Sequence, residues 1–208
     1  MMETNTISRN IITRIRKLDP QEVFVASDFV DLADINTVRQ ILSRQELSGK
    51  IHRVLRGVYY CPEYSKILKE FEAPSPQKVA DAFARKYGWT IAPSGSTALN
   101  ILGLSTQVSA KWNYISDGPY KVFKIGNLEL EFKHRSNKDI SGLSFKTATV
   151  IQALKTLGKE HVDDEVINRL RKLLTEKDKD RLLKEAKQST SWVYEIIKKI
   201  CKRTDVYV

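Results

Sequence analysis

Cysteine is nearly absent: Cys61 and Cys201 are the only two in 208 residues. Two thiols so far apart build neither a disulfide framework nor a structural zinc site, which takes four Cys/His ligands at short spacings. They read as free thiols of a protein in a reducing cytoplasm. Long apolar runs are missing as well. Nothing approaches the roughly 20 residues a bilayer-spanning helix needs, and the polar start MMETNTISRN lacks the apolar core of a signal peptide. Histidine is sparse and scattered, at His52, His134 and His161, and no Ser/His/Asp or Cys/His pairing suggests a hydrolase. The expectation is a soluble, cytoplasmic, non-enzymatic protein with no metal, no cofactor and no membrane partner.

What the chain does have is positive charge. Thirty-five Lys and Arg against 25 Asp and Glu leave a formal +10, which points to a polyanion as partner. The placement is more informative than the sum. Residues 1–64 hold nine basic against eight acidic side chains, 65–143 eleven against seven, and 144–208 fifteen against ten. Within the almost neutral first part, residues 35–60 carry Arg39, Arg44, Lys50, Arg53 and Arg56 against Glu46 alone, while Asp28, Asp31 and Asp34 crowd just before.

Apolar periodicity explains that segregation. Ile7, Ile11, Ile12, Ile15 and Leu18 recur at helical spacing until Asp19-Pro20 stops the pattern. Glu22 to Val25 reads as a short extended piece, and Ser27 as the cap of a short helix over residues 28–32. After a turn at residues 33–36, Thr37-Val38-Arg39-Gln40 matches a capping box opening a third helix. Val38, Ile41 and Leu42 form its apolar face; Arg39, Gln40, Ser43 and Arg44 spread over the other. Ser48-Gly49 ends it, and residues 51–55 and 58–60 around Arg56-Gly57 make a tight hairpin.

Each piece alone is what an ordinary solvated surface helix or hairpin produces. Their order within about 60 residues is that of a winged helix-turn-helix. In that layout Arg39, Gln40, Ser43 and Arg44 reach base edges in a major groove, where Arg matches guanine and Gln matches adenine. Thr37 opens the same helix, while Lys50, Arg53 and Arg56 suit phosphates. The candidate DNA-binding residues are therefore Thr37, Arg39, Gln40, Ser43, Arg44, Lys50, Arg53 and Arg56.

The run LSRQELSGKIHRVLRGVYYCPEY resembles the N-terminal winged helix of AbiEi-type antitoxins, regulators of bacterial phage-defence and toxin–antitoxin loci. The matching residues are Leu42, Ser43, Arg44, Gly49, Ile51, Arg53, Val54, Arg56, Gly57, Val58, Tyr59 and Tyr60. The stretch PSGSTALNILGLSTQV is similar to the helix ending in LGL that follows in those proteins. This resemblance implies double-stranded operator DNA as partner and repression of the protein's own operon. It further implies a type IV toxin–antitoxin arrangement, in which a nucleotidyltransferase-like toxin is opposed functionally, without a stable complex. A transcription factor with no toxin partner would share the same module.

The remainder reads as a second domain over 75–208, after a linker at 62–76. Ser75 caps a helix over 76–87, a short strand reaches Pro93, and Ser94 caps the helix after it. WNYIS, YKVFKI and LELEFKH are strands separated by Asp-Gly-Pro and Gly-Asn turns, with Glu129, Glu131 and Lys133 on a wet face. Asp117 with Glu131-Phe132-Lys133 has the D…E-x-K form of metal-dependent nucleases, chemically coherent around Mg²⁺. A half-exposed strand and a turn Asp produce the same pattern, and that plainer reading is preferred. Beyond a loop at 137–142, helices are expected at 146–157, 164–174, 177–186 and 191–201 within a helical part, 144–208. The whole is an α+β protein: a winged helix-turn-helix over 1–64, then a mixed α/β domain with a small antiparallel sheet and C-terminal helices.

Overall fold

The computed structural model describes residues 2–67, 69–107, 109–135 and 140–202. The chain divides into two compact units, Met1–Trp89 and Thr90–Val208, and its fold class is α+β.

In the first unit, helix α1 (Met2–Arg16) buries Ile11 and Ile15. Strand β1 (Val23–Val25) follows, then a single 3-10 turn (Ala26–Phe29) that begins sooner than Ser27 capping predicts. The reason is Asp28, whose carboxylate reaches back to accept the Val25 N–H at 3.0 Å. Helix α2 (Ile35–Leu47) likewise starts two residues before Thr37. Asp34 is the cap, accepting the N–H groups of Asn36 and Thr37 at 3.0 Å each, because a carboxylate at the positive helix end outcompetes a hydroxyl. The Thr37 hydroxyl, and then its N–H, hold the Asp34 carboxyl below its ordinary range.

Strands β2 (His52–Leu55) and β3 (Val58–Tyr60) form the expected hairpin, with Gly57 at φ +75° in the two-residue turn. Only glycine takes that left-handed conformation without cost. The sheet order is β1-β3-β2, antiparallel throughout. Val38, Ile41 and Leu42 of α2 meet Ile11, Ile15, Phe24, Phe29, Ile51 and Tyr59 in one core. Each fully buried aliphatic side chain there contributes about 1.5–3 kcal/mol.

The stretch 62–76 is more than a linker, since it holds a second hairpin, β4 (Glu63–Ser65) with β5 (Glu70–Glu72). Tyr64 and Phe71 pair across it with rings 5.4 Å apart, and Phe71 stacks edgewise on His52 at 4.8 Å. Such cross-strand aromatic pairs stabilise a hairpin. Helix α3 (Pro76–Tyr87) is capped by Ser75, as the sequence predicts, and ended by Gly88 in a left-handed conformation. It falls inside the first unit, however, although its spacing from the hairpin suggests the second domain. Arg85 ties it there, donating to the Val23 carbonyl at 2.8 Å and to Asp28 at 3.0 Å.

The second unit contains a four-stranded sheet of order β6-β7-β9-β8, from β6 (Ile91–Pro93), β7 (Lys111–Ser116), β8 (Lys121–Ile125) and β9 (Leu128–His134). The expected antiparallel sheet is in fact mixed. The hairpin turn sends β9 back along β8, and β9 then inserts beside β7, so β7 and β9 run parallel. Helix α4 (Gly95–Ile101) opens at Ser94 without a side-chain cap bond. Instead, Thr97 accepts the Asn113 N–H at 2.7 Å and fixes α4 to β7.

Helices α5 (Phe145–Leu157), α6 (Asp164–Leu173), α7 (Glu176–Glu185) and α8 (Ser191–Cys201) lie within a residue of their expected bounds. The loop expected at 137–142 lies partly outside the described residues. Val150, Leu154, Ile167, Leu170, Leu182, Val193, Ile197 and Ile200 pack together. The charged outer faces pair locally, as in Lys179–Glu176 at 2.7 Å and Lys146–Asp178 at 2.8 Å. Among the described residues no helix is long and apolar enough to cross a membrane, and Cys61 and Cys201 are free.

Candidate nucleic-acid interface

Because Val38, Ile41 and Leu42 are spent on the core, the opposite face of α2 is left to water. Asn36, Arg39, Gln40, Ser43, Arg44 and Leu47 are all exposed along it. These positions recur every three to four residues, so they form one stripe. Leu47, 84% exposed, closes it. Thr37 is half-buried in the first turn, where its N–H serves the Asp34 cap.

Beside that stripe lies a groove of about 660 Å³ whose walls come from four places in the first unit. The turn after β1 gives Ser27, α2 gives Arg39, the β2–β3 hairpin gives Arg53 and Arg56, and the end of α3 gives Lys86 and Tyr87. Four cations thus converge from three elements, and among the described residues no Asp or Glu lines the groove. Their availability differs. Arg53 is paired with Glu46 at 3.1 Å, and Lys86 donates its ammonium to the Arg56 carbonyl. Arg39 donates to the Asn36 side chain at 3.5 Å, and among the described residues it pairs with no Asp or Glu. Tyr59, at the base of the groove, has its hydroxyl pKa pushed up by burial and then by the Glu46 charge.

The acidic residues that crowd before α2 are kept away from this surface by structural work. Asp28 binds Arg85 and Val25, Asp31 accepts two bonds of 2.7 Å from Arg14, and Asp34 caps α2. Lys50 is placed apart from Arg39, Arg53 and Arg56. It lines a separate groove of about 290 Å³ with Arg16 and Gln45, over Ile15, Ile51 and Cys61. Lys86 is the residue the sequence reading passes over, because α3 reads there as part of the second domain. The signal was present in the Arg85-Lys86 pair of the last helical turn, yet spacing alone does not say which surface that turn faces.

The structure does not bring the residues of the D…E-x-K pattern together. Asp117 follows the end of β7, where its carboxylate accepts the Thr90 N–H at 2.8 Å. Glu131 pairs in register with Asn113, so Asp117 lies four residues further along, about 13 Å at strand rise. No cluster of three metal-capable side chains exists among the described residues. Nor is the face of β9 simply wet, because Glu131 is only 4% exposed. Its carboxylate accepts the Tyr120 hydroxyl at 2.9 Å and pairs with Lys111 at 3.1 Å and Lys133 at 3.6 Å. Burial raises its pKa, while the Tyr120 hydroxyl and the Lys111 ammonium outweigh that and leave the net shift downward. The histidines are structural too: His134 and His161 bond to the carbonyls of Gly118 and Leu157, and His52 contacts Tyr60 and Phe71.

A family model described as a family of unknown function, DUF6088, matches residues 10–182. The chain belongs to the DUF6088 family. That match takes in both units of this DUF6088 protein, including α2, the β2–β3 hairpin and α3. No curated protein matches it. Among solved structures it is similar to the RV2827C protein from Mycobacterium tuberculosis, with 10% identity over 94% of this chain and 76% of that one, at a TM-score of 0.40.

Proposed function

We propose that the first unit of this DUF6088 protein is a winged helix-turn-helix that binds double-stranded DNA in a sequence-specific manner. Helix α2 is the recognition helix and the β2–β3 hairpin is the wing. The observation that carries the reading is the basic groove, lined by Arg39, Arg53, Arg56 and Lys86 and, among the described residues, by no Asp or Glu, next to the exposed Arg39, Gln40, Ser43 and Arg44 stripe. The stripe offers the donors and acceptors that a major groove reads. The groove beside it takes the phosphate backbone, which supplies most of the affinity and positions the module. The order helix, strand, short turn, helix, hairpin and the β1-β3-β2 sheet fit the same reading.

The resemblance of the hairpin run to AbiEi-type antitoxins extends the proposal to a transcriptional repressor of its own operon. That operon also encodes a nucleotidyltransferase-like toxin, opposed without a stable complex. The test is a nuclease-protection assay on the region upstream of the protein's own gene, with co-expression of the adjacent gene. Protection of a discrete site supports the regulator, and relief of growth arrest supports the antitoxin. Protection without any toxic neighbour leaves a transcription factor alone. Absence of protection at low salt refutes both.

A further inference from the structure

We infer that α3 is a working part of the DNA reader and that Lys86 is a positioning residue that sets the wing, an inference that rests on the winged-helix reading above. The Lys86 ammonium donates to the Arg56 carbonyl at the wing tip, and it also lies 5.0 Å from the centre of the Tyr87 ring and 5.8 Å from that of Phe83. A Cβ added at Gly57, the other turn residue, would come within 3.2 Å of the same ammonium nitrogen. The wing tip is therefore seated against the end of α3, and a side chain at Gly57, already strained at φ +75°, would press the Lys86 ammonium aside by a few tenths of an ångström.

The other end of the strut is equally defined. One residue earlier, Arg85 holds the Val23 carbonyl at 2.8 Å and Asp28 at 3.0 and 3.3 Å, and Asp28 in turn accepts the Val25 N–H. The wing tip is thus referenced, through two consecutive side chains of α3, to the strand and turn that lead into the recognition helix. Strand β1 already holds β3, so what is left to fix is the turn at Arg56-Gly57, and a loose tip would have to be ordered on binding DNA, at a cost in affinity. Lys86 removes that cost in advance by fixing the Arg56 backbone from which the guanidinium extends.

A purely additive phosphate contact would leave a different signature, which a double-mutant cycle separates. The experiment titrates the full chain, as wild type, Arg56→Ala, Lys86→Met, Lys86→Arg and the Arg56→Ala/Lys86→Met double variant, against a duplex containing the upstream region of its own gene. Binding is measured by fluorescence anisotropy at several salt concentrations. Each single loss is expected to weaken binding about tenfold and to reduce the salt slope by about 0.9. The double variant should be no weaker than about twice the worse single one, with a slope still reduced by only about 0.9, because one phosphate contact has been lost by either route. Lys86→Arg, which keeps a donor of similar reach, should restore most of the affinity.

Multiplied losses and a slope reduced by about 1.8 in the double variant would overturn the inference, showing Lys86 to be an independent phosphate contact. Wild-type binding by Lys86→Met would overturn it as well. Circular dichroism and melting of each variant separate loss of fold from loss of position, with Lys86→Arg as the folded reference. If Arg39→Ala and Arg44→Ala bind like wild type, the winged-helix reading itself fails; if they lose binding while Lys86→Met does not, only this inference fails.

Discussion

Replacing Arg56 with alanine removes one of three guanidinium groups, those of Arg39, Arg53 and Arg56, from the groove beside α2. Arg53 shares its charge with Glu46 at 3.1 Å, so Arg56 and Arg39 are the fuller contributors. A charge-assisted bond is worth about 1.5–3 kcal/mol when well shielded, but this groove is open and the lower end applies after solvent screening. The expected loss is about 1.4 kcal/mol, a tenfold weaker Kd near 0.1 M salt. That loss should be the same on the preferred duplex and on random duplex, since phosphates carry no sequence. A plot of log K against log salt should flatten by about 0.9. Arg44→Ala provides the contrast. Arg44 stands on the exposed stripe of α2, so its loss should relax discrimination at one base pair by about 1–3 kcal/mol and change random-duplex binding little. Anisotropy titrations on both duplexes measure all four quantities. An Arg56→Ala loss confined to the preferred sequence, or an unchanged salt slope, refutes the assignment of the hairpin to phosphate contact.

Glu131→Ala should lower stability by about 2 kcal/mol, less than the roughly 3–5 of a fully enclosed pair, because Lys111 and Lys133 are half-exposed and Lys111 keeps Glu129. Urea unfolding measures this, and addition of Mg²⁺ should neither raise the melting temperature nor produce DNA cleavage; Mg²⁺-dependent cleavage lost in this variant would restore the nuclease reading. The Asp178 carboxyl is held down to about 2 from its usual 3.8, first by Lys146 and then by the Thr175 hydroxyl. A folded pKa below the unfolded one stabilises above the unfolded value, so this contribution should be complete above pH 3.8 and fade as pH falls toward 2. Melting curves of Asp178→Asn should lack that part of the acid decline. Cys201 is buried, and burial first of all pushes its thiol up to about 11; alkylation of the native protein near pH 8 should leave it unmodified until the helices open, and rapid labelling would contradict the packing of α8.

The first unit was largely legible because its information is local. Apolar spacing marks α1 and α2, and Arg56-Gly57 between β-rich runs marks the hairpin. Boundaries shift where two caps compete: Thr37 satisfies the pattern of a capping box, but Asp34 offers a charged acceptor one turn earlier. The C-terminal helices were legible for the same local reasons, since Ser144, Asp163 and Thr175 cap three of them. What was not legible depends on contacts between distant residues. Nothing in the local pattern of LELEFKH says that β9 slips between β7 and β8, or that Tyr120 and Lys111 close over Glu131. The same holds for the site. Arg39, Arg53 and Arg56 could be proposed from the segregation of charge, whereas Lys86 joins them only because Arg85 docks α3 on β1, and Lys50 leaves them because the chain turns after Gly49.

The central claim is that the α2 stripe and its adjoining groove read duplex DNA, and a selection experiment tests it most directly. The full-length protein is incubated with a randomised duplex library, bound molecules are amplified over several rounds, and the enriched site is titrated against random duplex. The account predicts a defined motif bound at least about a thousandfold more tightly than random sequence, with Arg39→Ala and Arg44→Ala each cutting that preference by about 1–3 kcal/mol while each still binds random duplex. Enrichment of no motif, or the same motif and preference in both variants, would contradict it.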